Sequence, residues 1–354
     1  MSAPAPRGIG RAILRRIPLF GALAGIGLAV WLVASNDVGA VADAFGRVGL
    51  AGIGAVVLVR LAILLLCGLA WARVLVGLTG VTTGPFLLLR FVREGINVLL
   101  PVASVGGEVL GARLLTFWGV GGALSAAGIL VDMFFQVVTE AVFAAAGVLL
   151  LAQLDNAQAA VLAQWCAKGL ALSAVVLAAF FAVQRFGGAG FVEARIAALV
   201  RRFADEDPAA EDPATGPDGR RGGVQAALDA AWDRRRWRPL AEGFLLHLAA
   251  WFLGAAEIWI ALRCLGFETV GFAEAVVLES LSQAIKSAAF PVPSGLGVQE
   301  GGFVLLGSLF GIDAHAALAL SLVKRVPDVV LGLPALLLWQ AIEARRGLVA
   351  RQGG

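Results

Sequence analysis

Two stretches of the chain hold the residues best suited to chemistry. The first, REGINVLLPVASVGGEVLGAR at 93–113, sets Arg93, Glu94, Asn97, Glu108 and Arg113 around Pro101, Gly106 and Gly107. The second, ESLSQAIKSAAFPVPSGLGVQEGG at 279–302, sets Lys286, Gln299 and Glu300 around Pro291, Pro293, Gly295 and Gly297. In each, a proline precedes a glutamate by seven residues with two glycines between them, and a charged residue (Glu94, Lys286) stands seven before the proline. Matching islands in the two halves of one chain indicate an internal repeat. Carboxylates and amides at such positions can bind a polar headgroup or carry a proton, and the cations can meet an anion. Proline removes a backbone donor and glycine admits turns that other residues resist, so each island should hinge two half-helices.

Other ionisable groups fall at related positions. Asp132 lies 24 residues after Glu108, and Lys324 lies 24 after Glu300. Gln136 and Glu140 follow Asp132 at helical spacing and extend one polar stripe, as Arg325 and Asp328 do after Lys324, where Pro327 predicts a kink. Arg90 joins Arg93 and Arg113 as a partner for Glu94 and Glu108. All these residues sit in or beside apolar runs, where a charge near the bilayer centre costs about 3 kcal/mol unless it is paired or hydrated. Internal salt bridges would account for a few of them; so many favour a water-filled cavity.

Catalytic and metal-binding signatures are missing. His247 and His315 are too far apart in sequence for a histidine-based zinc motif and read as helix-packing or interfacial residues. Cys67, Cys166 and Cys264 are isolated and read as small packing residues. No cofactor and no metal is expected. Gly295 and Gly297 do not form a dinucleotide fingerprint, because no strand precedes them.

The surroundings define the class. With 59% hydrophobic and 15% charged residues and a mean hydropathy of +0.86, the chain cannot cover a soluble globule with polar surface. It reads as an all-α polytopic membrane protein. A net charge of +3 could suit nucleic acid, but the arginines cluster between apolar runs as positive-inside topology requires, so no nucleic-acid partner is expected. After a cytoplasmic N-terminus at 1–16, an uncleaved span is predicted at 17–34, a loop at 35–49, and a span at 50–69 with Trp71 and Arg73 as interfacial anchors. Spans at about 120–152 and 160–184 complete a first half at 17–185. The acidic, proline- and glycine-containing 186–238 segment reads as a cytoplasmic linker, partly disordered. The second half, 239–342, has spans at 240–262 and 314–340 and a cytoplasmic tail at 343–354. Charge parity sends 84–118 in and out from the cytoplasmic side and 272–311 in and out from the other, as re-entrant pairs or as short full spans. About six full spans and two re-entrant pairs in inverted-topology repeats result, a plan shared with secondary transporters.

The E-x-x-N-x-L-L-P-x-x-x-x-G-G-E-x-x-x-x-R order of the first island resembles the flippase-like transmembrane domain of the lysylphosphatidylglycerol synthase superfamily. The P-x-P-S-G-L-G-V-Q-E-G-G-F order of the second is most similar to hopanoid-biosynthesis-associated members of the HpnL type. The resemblance covers about 15–345 and implies a lipid-handling helical domain in a bacterial inner membrane. It carries Glu94, Asn97, Pro101, Gly106, Gly107, Glu108 and Arg113 as one signature and Pro293, Gly295, Gly297 and Glu300 as the other. Because the chain stops soon after its last span, the soluble aminoacyl-transferase domain of the full synthases is not implied, and an enzyme is not expected. The function expected is movement of a polar lipid, a hopanoid or another isoprenoid-derived or phosphate-bearing lipid, through a central cavity. Glu108 and Glu300 would gate or carry protons, and Arg113 and Lys324 would meet an anionic headgroup. Two alternatives are a lipid-modifying transferase and a non-transporting scaffold that binds lipid (hopanoid) biosynthesis proteins.

Overall fold

A computed structural model describes residues 38–100, 106–186, 223–289, 292 and 297–352. The span expected at 17–34, the middle of the linker, and Pro101, Pro291, Pro293 and Gly295 lie outside them. Among the described residues the chain is helical, and no strand is present beyond an isolated bridge between Val76 and Thr79.

Among the described residues four helices are long and apolar enough to cross a membrane: α1 (Val38–Leu75), α4 (Gly122–Leu151), α5 (Ala157–Arg185) and α7 (Trp237–Cys264). The chain is an all-α polytopic membrane protein. The last helix, α10 (Ala314–Gln352), is longer than any of these but carries Lys324, Arg325 and Asp328 and runs through Pro327 and Pro334. Helix α5 leaves Val161, Trp165, Leu172, Val175 and Val176 on its outer surface, which a bilayer tolerates because lipid is as apolar as those side chains.

Two expectations need correction here. Residues 38–48 are not a loop: Val41, Ala44 and Val48 recur at helical spacing and are buried, so this segment packs as a helix. Gly49, at φ 64°, breaks it from the remainder of α1. The linker also becomes ordered earlier than its polar composition suggests. Helix α6 (Val224–Ala231) and a 3₁₀ turn at Arg234–Arg236 precede α7. Trp232 packs edge-on to Phe134, Phe135 and Phe181 and donates to Gln184.

Between the long helices lie two helical hairpins, α2 (Thr83–Leu99) with α3 (Gly106–Leu115) and α8 (Phe272–Ala288) with α9 (Val298–Gly307). At 1.5 Å per residue their arms span roughly 25 and 15 Å, short of the ~30 Å hydrocarbon core. Both hairpins finish alike: α3 leads into a 3₁₀ turn at Thr116–Trp118 and left-handed Gly119, and α9 into one at Ser308–Phe310 and left-handed Gly311. The helices that follow, α4 and α10, begin three residues beyond these glycines.

Helices α1 and α7 run antiparallel. Gly52 lies against Cys264, Arg60 pairs with Glu257, and Gly243 lies against Ala70. Phe86 at the start of α2 meets Trp71 near the C-terminal end of α1, and Phe272 at the start of α8 meets Trp259 near the C-terminal end of α7. The hairpins therefore enter the bundle from opposite ends. Each is clasped by the long helix that follows the hairpin of the other half, α2 by α10 where Gly95 meets Gly332 and Ala335, and α8 by α4 where Gly147 meets Ser280. One apolar cluster packs around Trp71, Phe86, Leu115 and Phe135 at one end; another packs around Leu262, Leu278, Phe303 and Ala317 at the other. The polar side chains are left between them.

Candidate functional site

The described arms of the hairpins line a cavity of about 520 Å³ in this polar middle layer. Its wall takes Arg90, Glu94, Asn97 and Glu108 from the first hairpin and Lys286 and Gln299 from the second. Gln136 and Glu140 on α4 and Lys324 and Asp328 on α10 complete what the sequence had pointed to. Burying so many ionisable groups in an apolar bundle requires partners for them.

The first hairpin supplies a dense network. Arg93 is fully buried; it pairs with Glu108 across the hairpin, pairs with Asp132 on α4 at 3.0 Å, and lies 4.7 Å from the ring centre of Trp71. Trp71 is thus a buried platform and not the interfacial anchor expected of it. Asn97 donates to Glu108 at 3.2 Å and accepts from the Gly107 backbone N–H at 2.8 Å, so one side chain ties both arms of the hairpin. Glycine is required on α3 here: a Cβ at Gly107 would lie 2.4 Å from the carbonyl oxygen of Arg93, and one at Gly111 would lie 2.6 Å from Arg93 Cδ. Gln136 donates to Asp132 at 2.9 Å and accepts from Arg90 at 3.2 Å, and Arg90 pairs with Glu94 at 3.1 Å.

The second half pairs its charges differently. Lys324 on α10 meets Glu279 on α8 at 2.5 Å, and Arg325 holds Glu300 at 2.8 Å behind the cavity wall. Asp132 and Lys324, matched in the sequence, thus take partners of opposite sign. Arg60 on α1 grips Glu257 on α7 through two nitrogens, at 2.9 and 3.2 Å, and lies 3.6 Å from Asp328. Glu140 accepts a hydrogen bond from Ser287 at 2.5 Å.

Some expected residues are placed elsewhere. Arg113 turns away from the cavity and pairs with Glu343 on α10, with about half its side chain exposed, because it stands near the outer end of α3. Glu108 therefore meets Arg93 and not Arg113. Arg93, Asp132, Glu300 and Arg325 stand behind the wall instead of forming it, while Gly106 and Gly297 start the returning arms α3 and α9. His247, read as a packing residue, faces the cavity and lies 3.0 Å from Asp132, and Cys67 lines the same wall. Sequence reasoning also passed over Arg60, Glu257, Glu279, Gln283 and Ser287, all cavity residues. Their signal was the one used for Asp132, a polar group within an apolar run: Arg60 and Glu257 lie outside both islands, and Glu279, Gln283 and Ser287 lie in the second island at positions with no polar counterpart in the first. Among the described residues no cluster of histidine, cysteine, aspartate or glutamate has the arrangement of a metal site.

A bundle of membrane-crossing helices, with two short helical hairpins set at opposite ends around a charged cavity, defines the class: an all-α polytopic membrane protein with a polar interior. The chain belongs to the family of the lysylphosphatidylglycerol synthase TM region, whose model matches residues 19–335. No curated protein and no solved structure matches it.

Proposed function

We propose that this protein is a flippase-like transporter that passes the headgroup of a polar lipid through the cavity between its hairpins while the tail stays in the bilayer. The observation that carries this reading is the cavity itself. Its volume falls in the ~300–1,000 Å³ range of small-ligand sites, its wall is ionic, and its frame is apolar. Each hairpin stops short of the bilayer thickness, so rocking one half against the other would expose the cavity to either side in turn. In this reading the hairpins are re-entrant and the protein is a carrier without a catalytic step.

Orientation follows from the arginines. Arg73, Arg185 and Arg234–Arg238 gather at one end of the bundle, where Arg73 pairs with Glu242 and Arg185 with Asp229. In this reading that end, and with it the start of the first hairpin, faces the cytoplasm of a bacterial inner membrane, as the positive-inside rule favours. Similarity of the second island to hopanoid-associated proteins makes a hopanoid with a polar headgroup one candidate cargo. A purely anionic headgroup suits the site less well than the sequence suggests, since Arg113 is outside the cavity and Lys324 is engaged by Glu279.

The test is headgroup translocation in proteoliposomes containing anionic, zwitterionic and neutral lipids. Wild-type protein should accelerate transfer of at least one class, and Glu108→Gln should slow it by on the order of tenfold, as expected for loss of one charged hydrogen bond. Arg113→Gln should leave the rate unchanged. Failure of the wild-type protein to accelerate any class would overturn the reading.

A further inference from the structure

The cavity's internal pairing leaves one cation and one carboxylate over, and this gives the ligand a chemistry. Glu94 is matched by Arg90, Glu108 by Arg93, Glu257 by Arg60 and Glu279 by Lys324, while Asp328 lies within reach of Arg60. Glu140 makes its hydrogen bond to the Ser287 hydroxyl and no ion pair, Lys286 makes neither an ion pair nor a hydrogen bond among the described residues, and the two lie within electrostatic reach of each other without touching. Both stand on the seam between α4 and α8, and Ser287, which holds Glu140, is the next residue after Lys286.

The hairpin N-termini differ in the same sense. In the first, the Gly107 N–H is taken by Asn97. In the second, Ala289 stands where Asn97 does in the repeat, and the N-cap of α9 is Gly297, which has no side chain to offer. The first turn of α9 brings Gln299 to the cavity, and the partial positive charge of a helix N-terminus favours an anion there.

We propose that Lys286 and Glu140 form a two-point site for a zwitterionic headgroup. Lys286, with Gln299 and the N-terminal end of α9, takes the anionic group, and Glu140 takes the ammonium group. The proposal rests on the reading of the cavity as a headgroup site and adds its selectivity. A purely anionic headgroup would draw Lys286 away from Glu140 and leave that carboxylate uncompensated, and a purely cationic one would do the same to Lys286.

The experiment is a titration of the full chain in detergent, followed by native mass spectrometry, with four probes. These are phosphatidylethanolamine, phosphatidylglycerol, a diacyl trimethylammonium lipid, and water-soluble phosphoethanolamine. Phosphatidylethanolamine should bind about tenfold more tightly than either singly charged lipid, the worth of one charged hydrogen bond. Glu140→Gln should reduce its binding to that of phosphatidylglycerol, and Lys286→Met to that of the cationic lipid. Glu140→Asp and Lys286→Arg should retain the preference, which separates loss of charge from loss of fold. Equal binding of all three lipids by the wild type, or a preference surviving both neutralisations, would overturn the proposal. If phosphoethanolamine alone binds, the zwitterion site stands but its ligand is soluble. Selective binding with no translocation of any headgroup would sink the transport reading and leave the site intact. Translocation without zwitterion preference would do the reverse.

Discussion

Arg93 is the residue on which the first hairpin depends. It is fully buried, and both of its carboxylate partners, Glu108 and Asp132, are buried with it. Arg93→Met would fill similar volume but leave two carboxylates in an apolar bundle without their cation. Removing one member of a buried ionic group costs about 3–5 kcal/mol. Thermal unfolding of the purified protein should show a large fall in midpoint. Arg93→Lys keeps the charge but loses the planar fork that spans two carboxylates at once, so its midpoint should lie between the other two. An Arg93→Met protein as stable as wild type would show that the network is not structural. The residues of this network were partly legible in the sequence. Arg93, Glu108 and Asp132 stand out as charges in hydrocarbon, and the repeat marks two of the three segments that hold them. The histidine completing it was not, because a lone His247 in an apolar helix looks the same whether it packs against leucine or against a carboxylate on another helix.

At the scale of elements, helix contacts are set by glycines as much as by charges. Gly107 and Gly111 let α3 approach α2 closely enough for Glu108 to reach Arg93, and Gly95 with Gly332 brings α10 onto α2. Gly107→Ala would put a methyl group against backbone, which cannot swing aside, and overpacking of this kind costs about 1–3 kcal/mol. Gly84→Ala, with nothing within 4 Å of the added carbon, is the matched control. The first variant should lower the unfolding midpoint and weaken any headgroup binding, and the control should do neither; equal midpoints would mean that the hairpin adapts. Element boundaries were the more legible part of the fold. The apolar runs mark α4, α5 and α7 to within a few residues, and the islands mark where α2 ends and α3 begins and where α8 ends and α9 begins. The errors have physical causes. Residues 38–48 combine a buried apolar stripe with Asp43 and Arg47, so their polarity masked a helix. Arg236 belongs to a run that reads as membrane-surface charge, yet it donates to the carbonyl oxygens of Val74 and Val76 and so satisfies groups at the C-terminal end of α1. Only long-range packing could reveal that use of an arginine.

Across the whole molecule, the order α1, hairpin, α4 is repeated as α7, hairpin, α10, and the antiparallel α1 and α7 relate the two sets. Exchanging the halves carries each packing partnership onto its counterpart: α2 on α10 becomes α8 on α4, and α3 on α4 becomes α9 on α10. The chemistry does not obey the exchange, because Asp132 and Lys324 differ in sign and Asn97 has no amide counterpart. Under the proposed transport function, such a symmetric frame would present one asymmetric site to either end in turn. The frame makes a topological prediction that does not depend on the ligand. Thr82, just before α2, and Thr269, just before α8, are both exposed and stand at opposite ends of the bundle. With the native cysteines replaced, Thr82→Cys and Thr269→Cys should react with a membrane-impermeant maleimide from opposite faces of sealed vesicles, Thr82→Cys from the cytoplasmic one. Labelling of both from the same face would place both hairpin mouths on one side and rule out alternating access through the cavity between them.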